Sequence, residues 1–229
     1  MAVTCHDLVI TRGTFRLSAH WNLPEGARLA LIGPSGAGKS LFLGALAGFE
    51  HIVQGSVRVA GEDITEMPPA KRPVTLMFQD NNLFGHLDLR ENVGLGRNPA
   101  LRLDDRDRAD IDAALAAVGL GELGHRLPKE VSGGQQSRAA LARALIRNQK
   151  LLLLDEPFSA LGPGLRREML ALVGRIQKDQ NATLIYVTHN PEDARSADFV
   201  SFVDEGIVHQ PVETQTIFEN PPDRLADYL

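Results

Sequence analysis

Gly33-Pro34-Ser35-Gly36-Ala37-Gly38-Lys39-Ser40 decides how this chain reads. The stretch fits G-x-x-x-x-G-K-[ST] at every fixed position, the pattern of a loop that cradles phosphate. Its flanks agree. Leu29-Ala30-Leu31-Ile32 before it is an apolar run of strand length, and Ser40-Leu41-Phe42-Leu43-Gly44-Ala45-Leu46 after it opens a helix. The glycines let the backbone curl until its N–H groups face a bound anion. The helix N-terminus adds a partial positive charge. In such a loop Lys39 reaches the β- and γ-phosphates, and Ser40 is a ligand for Mg²⁺. Gly33, Pro34, Ser35, Gly36, Ala37, Gly38, Lys39, Ser40 and Leu41 are therefore the candidate nucleotide-binding residues.

The rest of the chain is consistent with a globular enzyme. Its 229 residues suit one domain with an inserted subdomain, and 43% hydrophobic residues can build a core. A net charge of −5 argues against general nucleic-acid binding, which leaves a basic footprint. The single cysteine, Cys5, excludes an internal disulfide. Residues 1–8 lack the charged and apolar regions of a secretory signal. No apolar run approaches the about 20 residues of a membrane-spanning helix, so work at a membrane requires an embedded partner.

Around the loop the pattern alternates between strand and helix. Residues 6–11 and 15–23 read as strands, Pro24-Glu25-Gly26 as a turn, and 55–61 as a short strand between glycines. Residues 74–78 form a strand that ends at Gln79. Helices follow over 104–118, where Ile111, Leu115 and Val118 share one face, and over 135–146. The pattern then resumes with the wholly apolar strand 151–154, a helix over 165–176, a strand over 183–187, a short helix at 191–195 and a strand over 199–203. The expected architecture is α/β. Residues 1–87 and 148–210 form a nucleotide-binding core, 88–147 an inserted helical subdomain, and 211–229 a short tail with one or two helical turns.

Four further motifs sit at element ends. Asp155 and Glu156 close the apolar strand, where ligands lie in open α/β sheets. Asp155 suits a Mg²⁺ partner and Glu156 the base that polarises water. Ser132-Gly133-Gly134-Gln135 opens a helix with bare N–H groups suited to an anion. His189 and Gln79 each follow a strand. Taken alone, each of the last three is also an ordinary cap or surface residue.

In this order the set resembles the ATP-binding cassette family, over nearly the whole chain. The resemblance implies a P-loop nucleotide hydrolase core with an antiparallel β subdomain and the helical insertion. It implies that residues 33–40 are the Walker A loop, Gln79 the Q-loop glutamine, and Ser132, Gly133, Gly134 and Gln135 the signature motif. Asp155 is then the Walker B aspartate, Glu156 the catalytic glutamate and His189 the switch histidine, with Ser40, Gln79 and Asp155 around Mg²⁺. Glu156, His189 and Lys39 carry the chemistry on ATP. The resemblance also implies a head-to-tail pair of copies in which the signature motif serves the partner's ATP. Two membrane-spanning permease domains would receive the helical insertion, and a periplasmic substrate-binding protein would act indirectly. The site of work would be the cytoplasmic face of the bacterial inner membrane, with no nucleic acid.

Arg72-Pro73-Val74, Phe78-Gln79, Asn81-Asn82-Leu83-Phe84, His86-Leu87, Asn92, Gly94-Leu95-Gly96 and Asn98-Pro99 resemble, more narrowly, the thiamine-importing branch in Gram-negative bacteria. Iron and polyamine importers are the alternatives for cargo. The chain also departs from the family pattern. Gly162 stands where the family's D-loop has aspartate, Leu41 where it has threonine, and Gln136-Ser137-Arg138 extends the signature unusually. The tyrosine that stacks on adenine is not evident, which leaves Arg12, Phe15 and Trp21 as candidates. Three readings of other classes remain. A soluble P-loop kinase has no use for Ser-Gly-Gly-Gln. A non-transport cassette usually joins two cassettes or carries a coiled coil. A nucleotide-responsive subunit with weak catalysis is kept alive by Gly162.

Overall fold

A computed structural model describes residues 2–226; the last three residues of the expected tail lie outside the described residues. The chain opens with strands β1 (Val3–Arg12), β2 (Phe15–Leu23) and β3 (Arg28–Ile32). Helix α1 (Lys39–Ala47) leaves the glycine-rich loop, and β4 (Ile52–Val59), β5 (Glu62–Asp63) and β6 (Val74–Met77) follow. Next come α2 (Leu89–Gly94), α3 (Asp105–Ala117) and α4 (Gly133–Leu145). The last stretch holds β7 (Leu151–Asp155), α5 (Pro163–Asp179), β8 (Thr183–Val187), α6 (Pro191–Ala194) and β9 (Phe199–Asp204). It ends with β10 (Ile207–Val208), β11 (Val212–Glu213), α7 (Thr214–Glu219) and α8 (Asp223–Ala226).

Two compact units result. The first contains residues up to 76, 149–156 and those from 177 onward; the second contains 77–148 and 157–176. The sheet of the first unit runs β5-β4-β1-β2-β10-β9-β3-β8-β7-β6, with β11 beside β9. Strands β4, β1 and β2 pair antiparallel, whereas β9, β3, β8 and β7 pair parallel. β7 and β8 are buried at every position, which explains the apolar runs 151–154 and 184–187 within them. One apolar core joins Leu8, Leu17 and Trp21 to Leu29, Phe42, Leu153 and Val187.

The C-terminus of α1 is closed by a buried cation. Arg72 donates to the carbonyls of Ala45 and Leu46 at 2.7 and 2.9 Å, and to those of Met67 and Thr65. The Leu46 carbonyl belongs to the last turn, whose carbonyls lack intrahelical partners; the Ala45 carbonyl also accepts from the Gly48 amide at 3.1 Å; and the cation suits the negative end of the helix dipole. Burial pulls the Arg72 guanidinium below its usual range.

The second unit is helical, with α2, α3 and α4 packed on one another. Each begins with a capping box: Asp88 with Glu91, Asp104 with Asp107, and Ser132 with Gln135. Ile111, Leu115 and Val118 are buried, as the spacing predicts. The strand expected over 55–61 begins earlier, at Ile52, because Gly55 lies inside it at a positive φ of 84° instead of ending it. Among the described residues no helix is long and apolar enough to cross a membrane.

Candidate functional site

The site grows from the carboxyl ends of three parallel strands. β3 pairs with β8 (Leu31 with Val187), and β7 pairs with β8 (Asp155 with Val187), so these strand ends lie level. The glycine-rich loop leaves β3, Glu156 follows β7, and His189 follows β8. That is where an open α/β sheet places its ligands.

The loop is built so that backbone serves as the binding surface. Gly38 caps α1 with φ 104° and contributes no side-chain bond, and no acidic residue occupies the first turn. The positive end of the helix is therefore left to an incoming anion. A side chain at 38 would also meet Leu17 Cδ1 at 2.5 Å and Phe15 Cε1 at 3.0 Å. Lys39 is 6% exposed, and its ammonium donates to the carbonyls of Gly33 and Pro34 at 2.7 and 2.8 Å. Burial pulls the Lys39 ammonium below its usual range, against the attraction of Glu156 and Asp155. Pro34, Ser35, Gly36 and Ser40 are exposed, whereas Ala37 and Leu41 are buried.

Asp155 is 6% exposed, and burial pushes its carboxyl above the ordinary range; a bond from the Ser40 hydroxyl and the charges of Lys39 and His189 oppose that rise. Its Oδ1 has no hydrogen-bond partner among the described residues. A buried carboxylate oxygen without a partner, beside a serine hydroxyl, is a hard-oxygen donor set that fits Mg²⁺. Glu156 adopts a left-handed backbone with φ 47°. Glutamate rarely takes that conformation, which costs about 1–3 kcal/mol and persists where the surroundings enforce it. Here it turns the side chain toward His189, whose Nε2 lies 2.8 Å from Glu156 Oε1. His189 is positioned by its neighbours: the Asn190 amide donates to Thr188 Oγ1, and Thr188 Oγ1 donates to Asp193. One unit thus gathers the loop 33–40, Asp155, Glu156 and His189.

Gln79 and the 132–135 stretch belong to the second unit. Gln79 precedes Asn81 and Asn82, both at positive φ, whose carbonyls receive bonds from the Arg143 guanidinium of 2.7 and 2.8 Å. At the start of α4 the Gln135 amide donates to Ser132 Oγ at 3.3 Å, and the Ser132 amide donates to Gln135 Oε1 at 2.7 Å. A Cβ at Gly134 would press on the Ala160 carbonyl oxygen at 3.2 Å.

Several side chains acquire a meaning that the sequence did not give them. Ser137 is buried and its hydroxyl donates to the Pro157 carbonyl at 3.0 Å, which accounts for a small hydroxyl at that position. Of the three candidates for stacking on a base, Trp21 is excluded. It is 1% exposed and packs on Phe42 with ring centroids 5.6 Å apart. Its place in strand β2 points it into the core. Arg12 is bonded to Glu50 at 2.6 Å. Phe15 is half-buried against Gly38.

The sequence matches the family model described as ABC transporter over residues 18–159. The chain belongs to this family of ATP-binding cassette proteins. The curated proteins that it resembles include two named thiamine import ATP-binding protein ThiQ. The one from Ruegeria sp. (strain TM1040) is 49% identical over 224 residues, 97% of each chain. The one from Cereibacter sphaeroides is 52% identical over 223 residues, 97% of this chain and 96% of the relative. Among solved structures, a dimeric ATP-binding cassette in a post-hydrolysis state bound to ADP and Pi superposes with a TM-score of 0.84. At 24% identity, with 93% of this chain and 98% of that one covered, it supports the fold.

Proposed function

We propose that this chain is the ATP-hydrolysing subunit of a bacterial importer for thiamine or thiamine phosphates. Two copies would act at the cytoplasmic face of the inner membrane on two permease domains, with a periplasmic binding protein delivering the cargo. The observation that carries the activity is the gathering of the loop 33–40, Asp155, Glu156 and His189 at the ends of β3, β7 and β8. The names of the curated relatives support the cargo.

In this reading the loop's N–H groups and Lys39 hold the phosphates of ATP, and Phe15 offers a face to the base. Ser40 and Asp155 would hold Mg²⁺, with Gln79 as a further ligand; the ion would neutralise charge on the phosphate oxygens. Glu156 accepts a proton from the attacking water as its oxygen bonds to the γ-phosphorus. The bond from that phosphorus to the bridging oxygen breaks, and ADP leaves with the electron pair. Lys39 and His189 meet the charge on the γ-phosphoryl oxygens in flight. The Glu156–His189 contact keeps the base and this donor together. Ser132 and Gly134 of one copy complete the site of the other, so ATP joins the copies and hydrolysis parts them.

Uptake of labelled thiamine in cells tests this function. Cells whose only copy carries Lys39→Ala lose both uptake and Mg-ATP hydrolysis by the purified importer. Thiamine uptake at the parent rate in those cells refutes the proposal.

A further inference from the structure

The antiparallel part of the sheet carries a cluster that nucleotide chemistry does not use. Strand β1 pairs with β2 at Cys5↔Trp21 and resumes at Leu8↔Ala19. His6 and Asp7 together therefore oppose the single residue His20, which is a β-bulge. The ladder to β4 breaks at the same place, between His6↔Ser56 and Val9↔Gln54, so that Asp7 and Leu8 oppose Gly55. Asp7 takes a left-handed φ of 47°, a conformation that aspartate tolerates better than most residues. Opposite it, a Cβ on Gly55 would overlap the carbonyl oxygens of His6 and Asp7. The bulge is thus fixed from both neighbouring strands, and a bulge re-aims side chains.

Here it aims three metal-ligating groups at one point. Asp7 Oδ1 lies 2.9 Å from His20 Nδ1, and Asp7 Oδ2 lies 3.5 Å from His6 Nδ1. The two imidazole rings are 5.3 Å apart between centroids. One ligand atom from each residue falls within 4.8 Å of the others, and this is the one such group of three among the described residues. Metal–ligand bonds of about 2.0–2.2 Å put tetrahedral ligand atoms about 3.3–3.6 Å apart. The two Asp7 spacings, 2.9 and 3.5 Å, fall just below and within that range, so small side-chain rotations suffice. All three side chains are more than half exposed, and among the described residues each ion pair of His6 and His20 is with Asp7. Asp7 and His20 also border an open groove of about 430 Å³, which leaves the remaining coordination positions to water.

We infer that His6, Asp7 and His20 form a binding site for a first-row divalent transition ion, with zinc the best match. Two imidazole nitrogens and one carboxylate oxygen suit such an ion. Mg²⁺ and Ca²⁺ favour all-oxygen shells, so the Mg²⁺ that accompanies ATP does not compete. A bound ion ties β1 to β2 across the bulge and stabilises the folded chain by mass action.

The test uses the full chain, stripped with a chelator and free of nucleotide, in excess Mg²⁺. Co²⁺ is titrated by its visible absorption and Zn²⁺ by calorimetry and thermal melting. The parent is expected to bind one saturable equivalent and to melt higher with Zn²⁺. Asp7→Asn and His20→Ala each weaken that equivalent by more than about tenfold, since even losing an outer partner costs about 10–100-fold. Asn also tolerates the left-handed backbone, so Asp7→Asn removes the ligand and keeps the bulge. Its Mg-ATP hydrolysis and circular dichroism match the parent. His189→Ala, at the nucleotide site, retains the equivalent. The inference is overturned if no saturable equivalent exists, if it survives Asp7→Asn and His20→Ala, or if His189→Ala abolishes it.

Discussion

Two glycine-rich stretches lead into helices in this chain, and they are built in opposite ways. At the loop 33–40 the helix cap is a left-handed glycine with no side-chain bond, and a buried lysine lies across the loop's own carbonyls. At 132–135 the helix caps itself, with Ser132 and Gln135 exchanging bonds on an exposed surface. The first start leaves its donors to a ligand and is organised by burial. The second is complete as a local structure, and its function lies in what is presented to it. The difference fits a site in which one stretch holds the nucleotide and the other arrives from a second copy.

The largest expected effect tests the hydrolytic half of that contrast. Glu156→Gln removes the proposed base and keeps the side chain's shape. Steady-state ATP hydrolysis falls about 10²–10⁴-fold, as for other lost general bases, while binding of a fluorescent ATP analogue persists. A variant with the parent rate would remove Glu156 from the mechanism.

The self-capped start is tested by Ser132→Ala. Losing an N-cap costs about 1 kcal/mol of stability, which denaturant unfolding measures. Hydrolysis falls further than that loss explains if Ser132 also meets the partner's nucleotide. Ser132→Asn, which restores a cap of different shape, recovers stability without recovering the rate.

Asp155 gives a smaller and pH-dependent effect. Burial holds its folded-state value above the ordinary 3.8, so the folded chain keeps this proton more tightly than the unfolded one. The penalty is therefore absent below the ordinary value, grows as pH rises toward the raised value, and is constant above it. Asp155→Asn removes the penalty. The nucleotide-free variant melts higher than the parent at neutral pH, and the gap closes in acid. Melting curves across pH check this. A gap that widens in acid would reverse the assigned direction.

The smallest effect concerns Gly162. No atom lies within 4 Å of a Cβ placed there, and its φ is not positive. Its carbonyl accepts the first bond of α5, from the Arg166 amide at 2.9 Å, so it stands at a helix cap. Gly162→Asp is tolerated and stabilises by a few tenths of a kcal/mol, about the Gly-to-Asp difference at a cap. If the missing carboxylate limits coupling, the importer carrying this variant hydrolyses ATP faster. An unchanged rate would mean that glycine suffices there.

Much of this was legible because the informative signals are local. The loop 33–40 carries its pattern in consecutive residues, and β7 and β8 announce burial on both faces by composition. The strands missed are those with too few residues for a period, β5, β10 and β11 at two residues each. Helix α2 was also missed, although Asp88 and Glu91 stand at capping-box spacing and could have revealed it. Trp21 was misplaced among the stacking candidates because sequence alone does not say which face of β2 meets the core. The cluster of His6, Asp7 and His20 depends on a register slip between strands, and no spacing along the chain encodes it. Ser137 and Arg72 likewise gain their roles from carbonyls distant in sequence.

If a second copy completes the ATP site, ATP must control whether the chain is paired. Analytical ultracentrifugation of the Glu156→Gln chain with Mg-ATP measures this most directly. The expected result is a dimer with ATP, a monomer without it, and a monomer when Ser132→Arg is added although ATP still binds. A chain that stays monomeric at saturating ATP, or a dimer that survives Ser132→Arg, would contradict it.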